Sequence, residues 1–452
     1  MATTVHSVQD VREVLNERGR GSFFRRVWTI CGLGWLFDAM DQSALGLTLP
    51  LIMSTFGISK VEGGLAASGT NIGAIAGALL SSSLSDRFGR RKMIIVNLLI
   101  YCLGSILLAL SPNFEWLVAA RALQGVGLGG EYPMISIYIN EVTPKRDVSR
   151  AQGLTSSFFA YGYVLTSLIS IFVVPLLGFR GLFIALTVPA LLIVWIRKAL
   201  PESPVYLAQK GRFAEAEAVL QVIRDGSPEL PAADRGKDVE SAGSNDGDSR
   251  LPIFPLIYIS AVGVLLQLAY YGYNTWVPTV VSDHVASRIG TYGITTLVFT
   301  GLVVGYLLGA FIGDRLNGNW FLILSYLVFG VPLFFFGWAN STVLVVVLGW
   351  LSAVGFGFSS IATYSWVPRQ FSARLRGTGV GITNGIGRVG GVVGPTLVAA
   401  LSTNSNFGVA FAVLGTGTIV AAVIIGAIKR PPVSAIAARA ATSDAPVHAS
   451  TR

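Results

Sequence analysis

Long apolar runs, separated by short polar or charged breaks, recur along nearly the whole chain. A helix of about 20 apolar residues crosses roughly 30 Å of hydrocarbon. The runs near 27–53, 62–84, 93–111, 115–138, 152–175, 179–198, 253–280, 292–313, 320–338, 341–364, 378–401 and 407–428 therefore predict twelve membrane-spanning helices. The pattern stops between Ala199 and Pro252, dividing the spans into two sets of six. The expected fold is an all-α membrane protein with two six-helix bundles, 26–198 and 253–428. Segment 1–25 is polar and precedes a full-length apolar run, so the first span is expected to stay as an anchor and not as a cleaved signal. The connecting segment, 199–252, begins with helical spacing in FAEAEAVLQVI, then turns into GSPELPAADRGKDVESAGSNDGDSR, a composition expected to be disordered. The same holds for the tail at 429–452.

The two sets of spans are related. A shift of 228 positions superposes Gly73 on Gly301, Gly77 on Gly305, Asp86-Arg87 on Asp314-Arg315, Gly127 on Gly355, Gly129 on Gly357 and Gly153 on Gly381. One offset held through several spans implies two parallel repeats, an arrangement that in transporters puts the solute site between the halves near the midplane. The glycines also recur every four residues at 69, 73 and 77, and again from 301 to 313, a smooth stripe that lets another helix backbone approach.

Composition agrees with a lipid solvent: 52% of the 452 residues are hydrophobic and 13% charged, against about 25% charged in ordinary soluble domains. Of 33 lysines and arginines, 28 fall on the side that carries both termini, three on the other (Lys60, Arg180, Arg288) and two within spans (Arg121, Arg388). Basic loops mark the cytoplasmic face, so a multi-pass cell (plasma) membrane protein with both termini cytoplasmic is expected. The formal charge of +9 then belongs to loops beside anionic membrane lipids, with no nucleic-acid partner needed. Cys31 and Cys102 fall within spans and share no motif, so they are expected to be packing residues.

The turn after the second span reads SSSLSDRFGRRK, and after the eighth IGDRLNGN. An acid, a cationic cluster and a turn glycine in that order resemble the loop motif of the major facilitator superfamily, although Ser82 stands where members usually carry glycine. The resemblance implies a gating latch made by Asp86, Arg87, Gly89, Arg90 and Arg91, with Glu141 and Arg150 as partners and Asp314 and Arg315 as the second-half counterpart. RALQGVGLGGEYP (121–133) and LPESPVYL (200–207) resemble the sugar porters and their metabolite:proton symporter relatives, whereas GLGWLFDAMD (32–41) and AYYGYNTWVPTV (269–280) resemble nicotinate permeases and carriers of aromatic acids. After span ten Arg369 stands about where those relatives have glutamate.

Charges at bilayer depth cost about 2.5 to 3.5 kcal/mol each on insertion scales, so they should face a cavity or one another. Asp38, Asp41 and Glu131 are candidates for proton coupling, and one of the two aspartates is expected to pair with Arg121. Arg121 and Arg388 can each hold a carboxylate through two parallel hydrogen bonds. With Gln124, Tyr161, Gln267, Tyr270, Tyr271, Asn274, Tyr364 and Asn384 they make up the candidate substrate-binding set, aromatic faces with polar rims that suit a flat ring or a sugar. Gln267 and Tyr271, four apart, are the preferred pair. Two arginines favour a small organic anion moved by alternating access with proton symport; a sugar porter or facilitator, an organic-cation carrier and a non-transporting membrane sensor remain alternatives. His6, His284 and His448 lie in tails or an outer loop, and no metal-ligand spacing or phosphate-binding motif sits at a span end, so no enzyme activity, metal or cofactor is expected. A monomer is expected.

Overall fold

The computed structural model describes residues 6–18, 21–197, 200–227, 253–285, 287–312, 318–371, 376–402 and 406–427. The disorder expected within 228–250 and at 429–452, and the loop bearing Asp314 and Arg315, lie outside the described residues. Among those described, fourteen α-helices form, with no strand between them. In chain order they are α1 Val8–Asn16, α2 Ser22–Phe56, α3 Lys60–Phe88, α4 Arg90–Ala109, α5 Phe114–Val142, α6 Val148–Arg197, α7 Pro204–Gln209, α8 Phe213–Asp225, α9 Ile253–Ser282, α10 Arg288–Ile312, α11 Gly318–Phe336, α12 Thr342–Trp366, α13 Arg376–Leu401 and α14 Gly408–Ala427.

The kink in α6 at Gly178 (φ 66°, ψ −167°) divides it into limbs 148–177 and 179–197. Glycine meets no steric penalty at positive φ, so the chain can turn back there without a loop. With α6 counted as two limbs, the long helices number twelve. Several outrun their apolar stretches: α2 has 35 residues, or about 52 Å at 1.5 Å per residue, because polar flanks can continue a helix beyond the hydrocarbon. Among the described residues, seven helices are long and apolar enough to cross a membrane; the charge-bearing α2, α5 and α13 are not among them. Those three carry Asp38 and Asp41, Arg121 and Glu131, and Arg388 with its surrounding glycines.

Packing repeats the internal symmetry. In the first half α2 packs on α6, α3 on α5 and α4 on α5; in the second α9 packs on α13, α10 on α12 and α11 on α12. Individual contacts keep the offset of the sequence repeat. A β-carbon at Gly73 or Gly77 would strike the carbonyl of Ala122 or Val126, and one at Gly301 or Gly305 would strike Trp350 or Val354. Each residue of the second set stands 228 positions after its counterpart in the first. Outside, large apolar side chains are bare: Leu79 is 68% exposed, Phe172 70% and Leu176 82%. That belt would be untenable in water and is at home in lipid.

Chain direction defines a terminal end, where α2 begins, and a far end, where it stops. At the far end the halves meet closely. Ser68 Oγ donates to Val392 O, Asn71 Nδ2 donates to Gly391 O at 2.9 Å, and Lys60 Nζ lies 4.5 Å over the Phe407 ring. These contacts join the first part of α3 (60–71) to the far half of α13 and the start of α14. At the terminal end, a β-carbon on Gly153, Gly381 or Gly385 would meet open space.

Two helices at the terminal end were partly legible. The helical spacing of FAEAEAVLQVI becomes α8, which buries Ala216, Leu220 and Ile223. The polar amino-terminal segment contains α1, whose capping box joins Ser7 and Asp10 and whose Val11, Val14 and Leu15 are buried.

Candidate functional site

Near the middle of the long helices, between the two halves, side chains from six helices line a cavity. Trp35, Asp38 and Gln42 come from α2, three and four residues apart on one helix face. Ser156 and Phe159 come from α6, Gln267, Tyr270 and Tyr271 from α9, Tyr306 from α10, Phe356 and Ser360 from α12, and Asn384 and Arg388 from α13. The walls are aromatic and the polar groups converge. Asp38 accepts a 3.0 Å hydrogen bond from Gln42 Nε2 and lies within electrostatic reach of Arg388, Asp41 and Glu131.

A second charged cluster is sealed inside the first half. Arg121 Nη1 stands 2.9 Å from Asp41 Oδ2 and donates to Gln124 Oε1 at 2.7 Å, while Gln124 Nε2 reaches Asp41 Oδ1 at 2.6 Å and Ser105 Oγ at 2.7 Å. Asp41 and Gln124 are 0% exposed and Arg121 2%. Two opposite charges in such a place answer each other, and the amide of Gln124 satisfies lone pairs that the ion pair leaves over.

At the terminal end Arg90 gathers the loop between α3 and α4. Its guanidinium donates to Glu141 from Nε and Nη2, contacts Asp86 at 3.0 Å, bonds Ser85 O and lies 4.8 Å over the Tyr206 ring. Glu202 Oε1 accepts from the backbone N–H groups of Arg90, Arg91 and Ser203 at 3.0 to 3.1 Å. A carboxylate there fills the orphan donors at the start of α4 and faces its positive dipole end. Gly89, at φ 100°, lets the chain turn into that site, and a β-carbon on it would strike Glu202. Substituting Glu202 by Ala is expected to lower stability by about 1 to 2 kcal/mol, with Glu202→Gln losing less because one oxygen remains. The unfolding midpoint of the detergent-solubilised protein measures both.

The family profile described as "Major Facilitator Superfamily" matches residues 31–287 and 259–451 of this chain. The chain belongs to the major facilitator superfamily. It is a multi-pass membrane transporter and not an enzyme, as are its relatives. The niacin transporter NiaP of Acinetobacter baylyi is 29% identical over 388 residues, spanning 84% of this chain and 87% of that protein. The 4-hydroxybenzoate transporter PcaK of Pseudomonas aeruginosa is 30% identical over 410 residues, spanning 87% and 89%. Among solved structures, the xylose transporter XylE from E. coli, in a partially occluded inward open conformation, superposes with a TM-score of 0.74 at 18% identity. It covers 90% of this chain and 98% of that one, and it establishes the fold of twelve helices in two bundles.

Within this transporter the residues singled out from sequence part into groups. Asp38, Gln267, Tyr270, Tyr271, Asn384 and Arg388 line the cavity together. Arg121 and Gln124 do not; helix α5 turns them inward onto Asp41, which is the aspartate that pairs with Arg121. Glu131 is buried farther along α5, about 15 Å from Arg121 at 1.5 Å per residue.

Tyr161 must be corrected: it is 43% exposed on the outer face of α6, edge-on to Phe158, and its neighbour Tyr163 points inward instead. Asn274 is also displaced from the cavity, buried with its amide donating to Tyr270 O at 3.0 Å. Trp276 is fully buried and donates to Pro395 O. The side chains of Tyr364 and Arg369, and of Ser82, lie outside what the structure describes.

In the loop motif, Arg90 takes the central place, Gly89 shapes the turn, Asp86 is largely exposed, Arg87 packs over Phe88, and Arg150 is exposed on α6. Sequence reasoning missed Trp35, Gln42, Ser156, Phe159, Tyr306, Phe356 and Ser360. Trp35 and Gln42 carried a usable signal, the helical spacing to Asp38. Glu202 lay inside the quoted LPESPVYL, but nothing local says that it caps a helix over a hundred residues earlier.

Proposed function

We propose that the protein carries a small aromatic or nicotinate-like carboxylate across the plasma membrane by alternating access, with a proton in symport. The observation that carries this is Arg388, the cavity's guanidinium, set opposite Asp38 among aromatic rings. A guanidinium grips a carboxylate through two charge-assisted hydrogen bonds, and the rings of Trp35, Phe159, Tyr271 and Phe356 suit a flat apolar body. The names of NiaP and PcaK, transporters of niacin and 4-hydroxybenzoate, support the same substrate class.

Charge balance supports the proton. Arg388 and Asp38 cancel in the empty cavity; an arriving carboxylate takes Arg388 and leaves Asp38 uncompensated, so a proton on Asp38 restores neutrality before the cavity changes sides. Asp41 with Arg121 forms a second buried site in the first half, and Glu131 a further acid along α5, through which coupling extends.

The bias of lysine and arginine puts both termini, the 199–252 segment and the Arg90 cluster in the cytoplasm beside anionic lipid. With the far end closed, the cavity then faces inward. The domain layout follows: a first bundle over 26–198 and a second over 253–428, working as a monomer. In this layout the loop motif, including Asp314 and Arg315 in the second half, holds the cytoplasmic ends together when the cavity faces outward.

Liposomes reconstituted with the protein are expected to accumulate radiolabelled nicotinate or 4-hydroxybenzoate under an inward proton gradient, with a protonophore reducing uptake to equilibration. Hexose uptake indifferent to the gradient would overturn this and favour a sugar facilitator.

A further inference from the structure

One residue joins the cavity acid to the contact between the halves. Gln42 Nε2 donates to Asp38 Oδ1 at 3.0 Å, while its Oε1 lies 3.4 Å from the hydroxyls of both Tyr163 and Tyr270, themselves 2.8 Å apart. The amide has a donor end and an acceptor end, and the carboxylate dictates which way it points. With the donor committed to Asp38, the oxygen must face the tyrosines. Of the two hydroxyl protons, one bridges the tyrosines and the other is left for Gln42.

The position matters as much as the bonds. Gln42 and Tyr270 are 228 residues apart, the offset that relates the two repeats, so they are the same place in each half and meet on the pseudo-two-fold axis. One turn along, Gly46 packs on the backbone of Asn274, its own counterpart. Tyr270 stacks on Phe356 with centroids 3.8 Å apart, and Tyr163 sets its ring edge-to-face with Phe299 at 4.9 Å. Tyr163 with Phe299 is in turn the symmetry mate of Gly391 with Asn71 at the far-end seam. The tyrosine pair is thus the inner layer of the closure that shuts the cavity from the far end.

We propose that Gln42 is a positioning residue that ties the cavity acid to this roof. This deepens the transport reading above and rests on it for the identity of the solute. A solute or proton that takes Asp38 from Gln42 frees the amide to turn, the roof loses its acceptor, and the halves can part at the far end. Asp38 held by Gln42 keeps the roof shut. The tie therefore converts the state of one carboxylate into a change of access.

The chain has two cysteines, Cys31 and Cys102, both buried; replacing them with serine gives a background for a reporter. Thr295 on α10 is 0% exposed, between Tyr292 and Phe299, and its hydroxyl bonds back to Thr291 O of its own helix. With Thr295→Cys in place, labelling by a membrane-impermeant maleimide from the far side is expected to be at least tenfold faster in Gln42→Leu. Tyr270→Phe, which keeps the ring stack, should give a smaller increase.

Nicotinate should speed labelling of the parent and leave Gln42→Leu unchanged. Its affinity, read from Trp35 quenching against a Trp35→Phe control, should rise severalfold in Gln42→Leu, where no tie has to be broken on binding, while turnover falls at least tenfold. A general loosening of the fold would move affinity and turnover together and overturns the proposal, as does equal labelling of parent and Gln42→Leu. If Gln42→Leu labels faster while neither nicotinate nor 4-hydroxybenzoate alters labelling or fluorescence of the parent, the tie to the roof stands and the organic-acid reading falls.

Discussion

Replacing Arg388 with alanine is expected to weaken nicotinate binding about 100-fold and to abolish measurable uptake at micromolar solute. The estimate follows from the loss of charge-assisted hydrogen bonds to a carboxylate, worth roughly 1.5 to 3 kcal/mol, where about 1.4 kcal/mol is tenfold. Arg388→Lys should recover part of the affinity, because it restores the charge without the planar fork. Nicotinamide, which has the same ring and no carboxylate, provides the internal contrast: its binding should change by less than threefold in Arg388→Ala. Tyr161→Ala, on the outer face of α6, should leave uptake at the parent level. Equilibrium binding and initial rates with both solutes decide the matter. An unchanged affinity for nicotinate in Arg388→Ala would mean that the carboxylate is held elsewhere, and Asp38 would then face Arg388 as a fixed structural pair.

Much of this molecule was written in the order of its apolar residues, because lipid imposes a length on each span and forbids unpaired backbone. The repeat was legible for the same reason. Glycines such as Gly73 and Gly301 must recur wherever helix backbones touch, and their contacts keep the offset that the letters show. What the letters withheld is rotation. Tyr161 and Tyr163 are two residues apart, so on a helix they face nearly opposite ways, yet only packing decides which points to lipid.

Arg121 illustrates the same limit. Its charge at bilayer depth announced importance, but two sites were compatible with it, and the choice was made by Gln124 on its own helix and Ser105 on the neighbouring α4. Gln42 is uncharged and unremarkable in sequence; its place emerges only when α2 crosses α9. The ion contacts of the loop motif were legible as residue types, while the Glu202 cap needed the chain to return after four further spans.

Removing one member of the sealed pair should cost more than any change in the cavity. Arg121→Ala leaves Asp41 buried at 0% exposure with Gln124 as its neighbour, and an uncompensated buried charge costs about 3 to 5 kcal/mol. The variant should therefore unfold at a markedly lower temperature, and Asp41→Asn, which strands the guanidinium, should do the same. The informative protein carries both Asp41→Asn and Arg121→Gln. No ion is left unpaired there, and two amides can replace the ion pair by hydrogen bonds to each other and to Gln124, so its unfolding temperature should return close to that of the parent. Restored stability separates packing from coupling. The double variant is expected to exchange labelled for unlabelled nicotinate across a liposome at near-parental rate, yet to accumulate less than the parent under a proton gradient, because the path that extends coupling from Asp38 has lost its ionisable pair. Full gradient-driven accumulation in the double variant would instead make Asp41 and Arg121 a static brace between α2 and α5, leaving Asp38 to carry the coupling alone.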